Sequence, residues 1–202
     1  MSRKIAFTLS VLLHPLIIPS AGILMLLNSG TYLSNIPFSA KKVLILICCM
    51  GTFVLPALMI PVIHFRGIIS GIHLVNRSER TTPLAITLIF YILTYYLFLQ
   101  IPVYRIINGF MLGCVLCLFV SLLLSYRWKI SIHMVGLGGL TALQLVVSFI
   151  HDMNLYSFLV STILASGLAG SSRLFLEAHS PAEVYSGYFI GIILMSISLL
   201  IF

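Results

Sequence analysis

The chain has 202 residues, 60% of them hydrophobic and 7% charged, with a formal net charge of +7 and a mean hydropathy of +1.18. Soluble domains carry roughly 25% charged residues, so a water-soluble fold is excluded. At about 20 apolar residues per bilayer crossing, membrane spans use up the whole length and leave no room for a separate soluble domain. The 11 lysines and arginines are scattered between apolar runs and form no stripe, which argues against nucleic acid and for lipid head groups or an anionic substrate.

Met1 to Leu27 opens with Arg3 and Lys4 ahead of an apolar run. That run is longer than a signal-peptide core and lacks a clear small-residue cleavage site, so it reads as a retained first span, Ile5–Leu27. Within it His14 precedes Pro15. Two readings stand for this histidine: a neutral imidazole bonded to backbone freed by the proline kink, or a functional group inside the membrane. The second span, Val43–Ile63, contains Pro56 and Pro61 and is expected to bend. Five more spans follow at Leu84–Val103, Ile106–Tyr126, Met134–Ile150, Leu155–Gly170 and Val184–Phe202. Cys48, Cys49, Cys114 and Cys117 all lie inside apolar runs. The CxxC of the last two lacks the second pair or βαβ context that a metal or redox motif requires. Gly136, Gly138 and Gly139 open the fifth span, where they allow close helix contact. The expected fold is therefore all-α: a polytopic transmembrane bundle of about seven spans, forming a single domain over residues 1–202.

A chain that crosses a bilayer returns to the same face after every two spans, so the second, fourth and sixth gaps share one side. Those gaps hold Arg66, His73, Arg77, Glu79 and Arg80, then Arg127, Lys129 and His133, then Arg173, Glu177, His179 and Glu183. The other side has Lys41, Lys42, Arg105, His151 and Asp152. Arginine forks match phosphate oxygens and imidazoles move protons near neutral pH, so the first set can form a pocket for a doubly charged oxyanion. Arg66, Arg127 and Lys129 also read as ordinary juxtamembrane cations. Glu177 and Glu79 read as local counter-charges to Arg173 and to Arg80 or Arg77.

The sixth gap is the most informative. Arg173 and His179 stand either side of a break, and Glu183 follows His179 by four residues, with a helix expected to begin near Ser180-Pro181. A carboxylate at that spacing can accept the imidazole N–H and fix its tautomer. The other ring nitrogen is then free to attack, as a phosphohistidine intermediate requires.

Here the chain resembles the type 2 phosphatidic acid phosphatases, which share fold and phosphate site with vanadium haloperoxidases. Ser172-Arg173 through His179 to Glu183 matches that family's SRxxxxxHxxxD motif, with Glu in place of Asp. Ile130-Ser131-Ile132-His133 is similar to its PSGH motif in the serine and histidine, and Arg77 to Pro83 loosely resembles KxxxxxxRP. The resemblance covers about residues 77–191. It implies His179 as nucleophile, Glu183 as its orienting carboxylate, and His133 as general acid and then base. It further implies Arg80, Arg173, Ser131 or Ser172, and Arg77 as holders of the phosphoryl oxygens, with no metal and no cofactor. The implied substrate is a membrane lipid phosphate or an isoprenoid phosphate or diphosphate in a bilayer, at the bacterial cytoplasmic membrane. Two other readings stand beside it: a zinc hydrolase using His133, His179 and Glu183, and a non-catalytic protein that binds or transports an anionic lipid. Ile132 occupies the place of the PSGH glycine, and Gly136 is the nearest candidate to open the backbone there. The positive-inside rule puts the arginine-rich face in the cytoplasm, whereas many members of that family work on the outer face.

Overall fold

A computed structural model describes residues 2–30, 32–68, 80–151 and 154–202, the side chain of His151 excepted. Arg77, His73 and Glu79 lie outside the described residues. Within them the chain is helical and has no strand. Seven helical stretches are long and apolar enough to cross a membrane, and the protein is a multi-pass membrane protein. The large apolar side chains on the outer faces, such as Phe149, Phe189 and Leu200, are exposed as lipid-facing residues must be.

The first span consists of α1 (Arg3–Leu12) and α2 (Ile18–Asn28), joined through a 3₁₀ turn at Pro15–Ile17. Pro15 has no N–H and clashes with the preceding turn, so the α-helix stops there. His14 caps the break: its Nδ1 accepts the Leu16 N–H at 3.3 Å. The second span joins α3 (Phe38–Cys49) to α4 (Leu55–Phe65) through a π-helical turn at Met50–Val54. The expected irregularity thus falls one turn ahead of Pro56. The wider turn lets the Leu55 N–H reach the Met50 carbonyl, and Pro56 then sits at the start of α4, where a missing donor costs least.

The remaining spans are α5 (Thr81–Leu99), α6 (Arg105–Ser125), α7 (Ile132–His151), α8 (Tyr156–Phe175) and α9 (Pro181–Ile201). Two limits differ from the hydropathy reading. The third span ends at Leu99 instead of Val103, because Pro102 drives the residue before it out of the helical region. The sixth continues five residues past Gly170, to Phe175, and so carries Arg173 on its last turn.

The fifth and seventh spans hold the core together. Spans α7 and α9 pack backbone to backbone: a Cβ on Gly138 would lie 2.0 Å from the Tyr188 carbonyl oxygen, and one on Gly191 would lie 2.1 Å from that of Val135. In lipid, where apolar burial gives helices little reason to associate, such close approach and polar cross-links supply the attraction. Thr141 and Tyr188 share a hydrogen bond of 2.9 Å, Gln144 donates to Thr162 at 2.8 Å, and Ser198 donates to the Gly109 carbonyl at 2.7 Å. These bonds tie α7 to α9, α7 to α8, and α9 to α6.

Candidate active site

The turn between α8 and α9 is built from two caps. At the end of α8, the Glu177 N–H bonds to the Leu174 carbonyl at 2.9 Å and the Ala178 N–H bonds to that of Arg173 at 3.1 Å. With Leu176 as C-cap, this is a Schellman motif. Its left-handed position, normally glycine or asparagine, is held by Glu177 at φ 53°. Glu177 is exposed and makes no ion pair with Arg173, so the counter-charge expectation is corrected: its place is set by backbone bonding. Three residues on, Ser180 caps α9. Its hydroxyl accepts the Glu183 N–H at 3.4 Å while the Glu183 carboxylate accepts the Ser180 N–H at 3.0 Å. Pro181 occupies the first helical position, where its fixed φ suits the start of a helix.

The same carboxylate oxygen lies 3.2 Å from Nδ1 of His179. That nitrogen is also 3.0 Å from the Lys129 carbonyl oxygen. A carbonyl can only accept, so Nδ1 carries the proton and Nε2 of the neutral ring carries the lone pair. His179 is 7% exposed. Burial, then the charges of Arg173 and Arg80, push its pKa down from 6.5 to about 4, against the upward pull of the Lys129 carbonyl and Glu183. A histidine so held is a neutral nucleophile throughout the physiological range. In protein with ¹⁵N-labelled histidine, NMR is expected to show His179 still neutral at about pH 5.5 and protonating with a midpoint near 4. A midpoint near the ordinary 6.5 would refute this electrostatic description.

The loop before α7 closes against the same corner: the Ser131 N–H bonds to the Glu183 carbonyl at 3.2 Å. That bond sets His133 on the first turn of α7. Its Nε2 lies 3.0 Å from the Ser10 carbonyl oxygen of α1, so Nε2 donates and Nδ1 is the nitrogen left to exchange a proton. The His14 ring meets the His133 ring edge to face, with centroids 5.6 Å apart. His14 therefore caps the break in the first span, and its ring also stands beside the second imidazole. Sequence reasoning had only one general signal for this, the rarity of an ionisable side chain within a span.

Arg80, His133, Arg173 and His179, together with His14, line one cavity of about 430 Å³. Arg80 immediately precedes α5, and Arg173 reaches the cavity from the last turn of α8. Nε of Arg173 is buried and has no hydrogen-bond partner among the described residues. Burial first, and for Lys129 the nearby Arg80 next, lowers the proton affinity of Arg80 and Lys129. Arginine keeps its charge regardless, so this corner is an excess of buried positive charge that an incoming dianion would offset. Lys129, read from sequence as an ordinary juxtamembrane cation, contributes the carbonyl that holds His179 and a charge that couples to Arg80, Glu183 and Arg173.

Not every expected residue is at the wall. Ser131 and Ser172 are fully buried but do not line the cavity. The Ser172 hydroxyl donates to the Leu168 carbonyl at 2.7 Å, one turn back along α8. Ile132 and Gly136 both border the cavity, so the glycine one turn along does open the wall that the isoleucine narrows. Among the described residues no three His, Cys, Asp or Glu side chains converge as metal ligands. His133 and His179 each bond one ring nitrogen to a backbone carbonyl and keep the other open, while the Glu183 carboxylate is taken up by His179 and the Ser180 N–H.

Comparison with protein-family models, with curated proteins and with solved structures finds no match to this chain.

Proposed function

We propose that this chain is a metal-independent membrane phosphatase that hydrolyses a lipid phosphate or diphosphate through a phosphohistidine. The observation that carries the reading is the bonding of His179. A backbone carbonyl and a carboxylate take its Nδ1 proton, leaving Nε2 as a lone pair on a ring beside two guanidinium groups. A buried histidine with only a packing role has no need of cations around it.

In the first step Nε2 of His179 attacks phosphorus. The bond to the ester or anhydride oxygen breaks, and Nδ1 of His133, whose protonated form the charge of the bound phosphate favours, supplies the proton that the departing oxygen takes up. Glu183 and the Lys129 carbonyl stabilise the positive charge that forms on the His179 ring. Arg80 and Arg173 hold the equatorial oxygens, where charge is greatest in the transition state. In the second step the bare Nδ1 of His133 takes a proton from water, the resulting hydroxide attacks phosphorus, and the N–P bond breaks. Inorganic phosphate leaves and His179 regains its lone pair. The proton that His133 takes from water restores it for the next turnover, while His14, its Nδ1 bonded to the Leu16 N–H, packs against the His133 ring.

The test is release of inorganic phosphate from phosphorylated lipids by the purified full-length protein in excess EDTA. Turnover that survives chelation is the expected result. Tight lipid binding without turnover across lipids of different head group would replace this reading with that of an anionic-lipid-binding protein.

A further inference from the structure

The cavity does not end at the cationic corner. Its far wall is formed by Tyr91, Cys114, Cys117, Gly139 and Met195, from four different spans. At 1.5 Å per residue, Tyr91 lies about 15 Å along α5 from the arginine end, Cys114 about 16 Å back from the end of α6, and Met195 about 20 Å into α9. The space therefore runs from the charged rim to roughly the middle of a 30 Å hydrocarbon core, within the bundle.

Its size limits what it can hold. At about 30 Å³ for each water-sized group, the 430 Å³ of the whole cavity takes about fourteen such groups, of which a phosphate at the cationic corner uses about five and a chain the remainder. A fully extended chain advances about 1.2 Å per bond, so the depth separately accommodates on the order of a dozen bonds. The two estimates agree on one linear chain. A lipid with two chains of that length needs about twice the volume, and its branch point would fall only a few bonds from the phosphate, where Pro83, Leu84 and Gly136 form the wall.

We infer that this cavity is a sleeve for a single unbranched apolar chain, and that the protein takes phosphorylated lipids carrying their phosphate on one chain in preference to two-chain phospholipids. The inference rests on the phosphatase reading for the headgroup end alone. The sleeve's mostly apolar lining favours burial of a chain, and Met195 lies at the far end of that lining.

Two native thiols report occupancy without any turnover. Cys114 and Cys117 are free and border the sleeve, whereas the free thiols of Cys48 and Cys49 do not. The full-length protein, wild type and His179→Ala, is treated with a small apolar thiol reagent, and each cysteine is read by mass spectrometry. The probes are a dodecyl to hexadecyl phosphate, a phosphatidic acid with chains of the same length, and inorganic phosphate. The single-chain phosphate is expected to slow labelling of Cys114 and Cys117 at least about tenfold in both proteins, with the other two probes having little effect. Equal protection by the two-chain lipid, or no protection by the single-chain one, overturns the sleeve. So does failure of a small apolar diazirine, which inserts on irradiation without needing a thiolate, to label the lining of the ligand-free sleeve, since a channel open to a chain admits the reagent. Met195→Ala is expected to move the preferred chain length upward, and Gly139→Ala downward. An added Cβ at Gly139 meets Met195 and Cys117 at ordinary contact distances of 3.5 and 3.8 Å, so that variant keeps the packing. No shift in either overturns the assigned depth. Protection without phosphate release would keep the sleeve and refute the phosphatase, and phosphate release without protection would do the reverse.

Discussion

Replacing His179 by alanine is expected to lower phosphate release by at least about a thousandfold, the scale on which removal of a covalent nucleophile acts. The bundle should survive the change. The Ser180–Glu183 cap and the close α7–α9 packing do not depend on the imidazole, so gel filtration and circular dichroism of the variant should match the parent. The wild type should form an acid-labile phosphoenzyme when quenched in turnover, and the variant should not. His133→Ala separates the two halves of the reaction. An aryl phosphate has a leaving group that needs no proton, so with it this variant should still phosphorylate His179 yet clear the adduct slowly, giving a burst of phenol followed by a slow phase. Undiminished release in His179→Ala would remove the proposed nucleophile altogether.

The second large effect is expected at Arg173. Its Nε is buried without a partner among the described residues, an arrangement that costs free energy unless something else occupies the site. Arg173→Gln should lower kcat by about a hundred- to a thousandfold, in line with removal of one preorganised donor to a developing charge. Arg173→Lys should recover little of it, because an ammonium cannot reproduce the planar fork. The same substitution carries a second readout that a purely structural residue would not move. The Arg173 charge helps hold His179 at about 4, so its removal should raise the His179 midpoint in an NMR titration. A loss of activity with that midpoint unchanged would mean that Arg173 acts by packing, not by charge.

Most of the span architecture was legible because it depends on one strong signal, unbroken apolar runs parted by charge. The failures came where backbone geometry overrides hydropathy. Ile101 and Val103 extend the third apolar run, but Pro102 between them ends the helix early. Arg173 looked like the start of a loop, yet α8 continues through it until Glu177 adopts a left-handed conformation, one that a glutamate does not advertise. The pairing of His179 with Glu183 was legible from a four-residue spacing and a Ser-Pro helix start. Its second partner was not, since a main-chain carbonyl at Lys129 leaves no mark in the sequence. Nor could local pattern reveal that the first span lies against the seventh helix, where Ser10 and His14 meet His133. That contact depends on how distant helices pack, and no motif encodes it.

The short connection between Arg173 and His179 has a consequence for how this protein can vary. Both of its ends are closed by hydrogen bonds, so its length works as a fixed gauge between guanidinium and imidazole. One residue more or fewer would carry His179, with the Glu183 that orients it, out of register with Arg173 on the last turn of α8. Whatever else drifts in this chain over evolutionary time, the tally of positions across that bend has to stay constant.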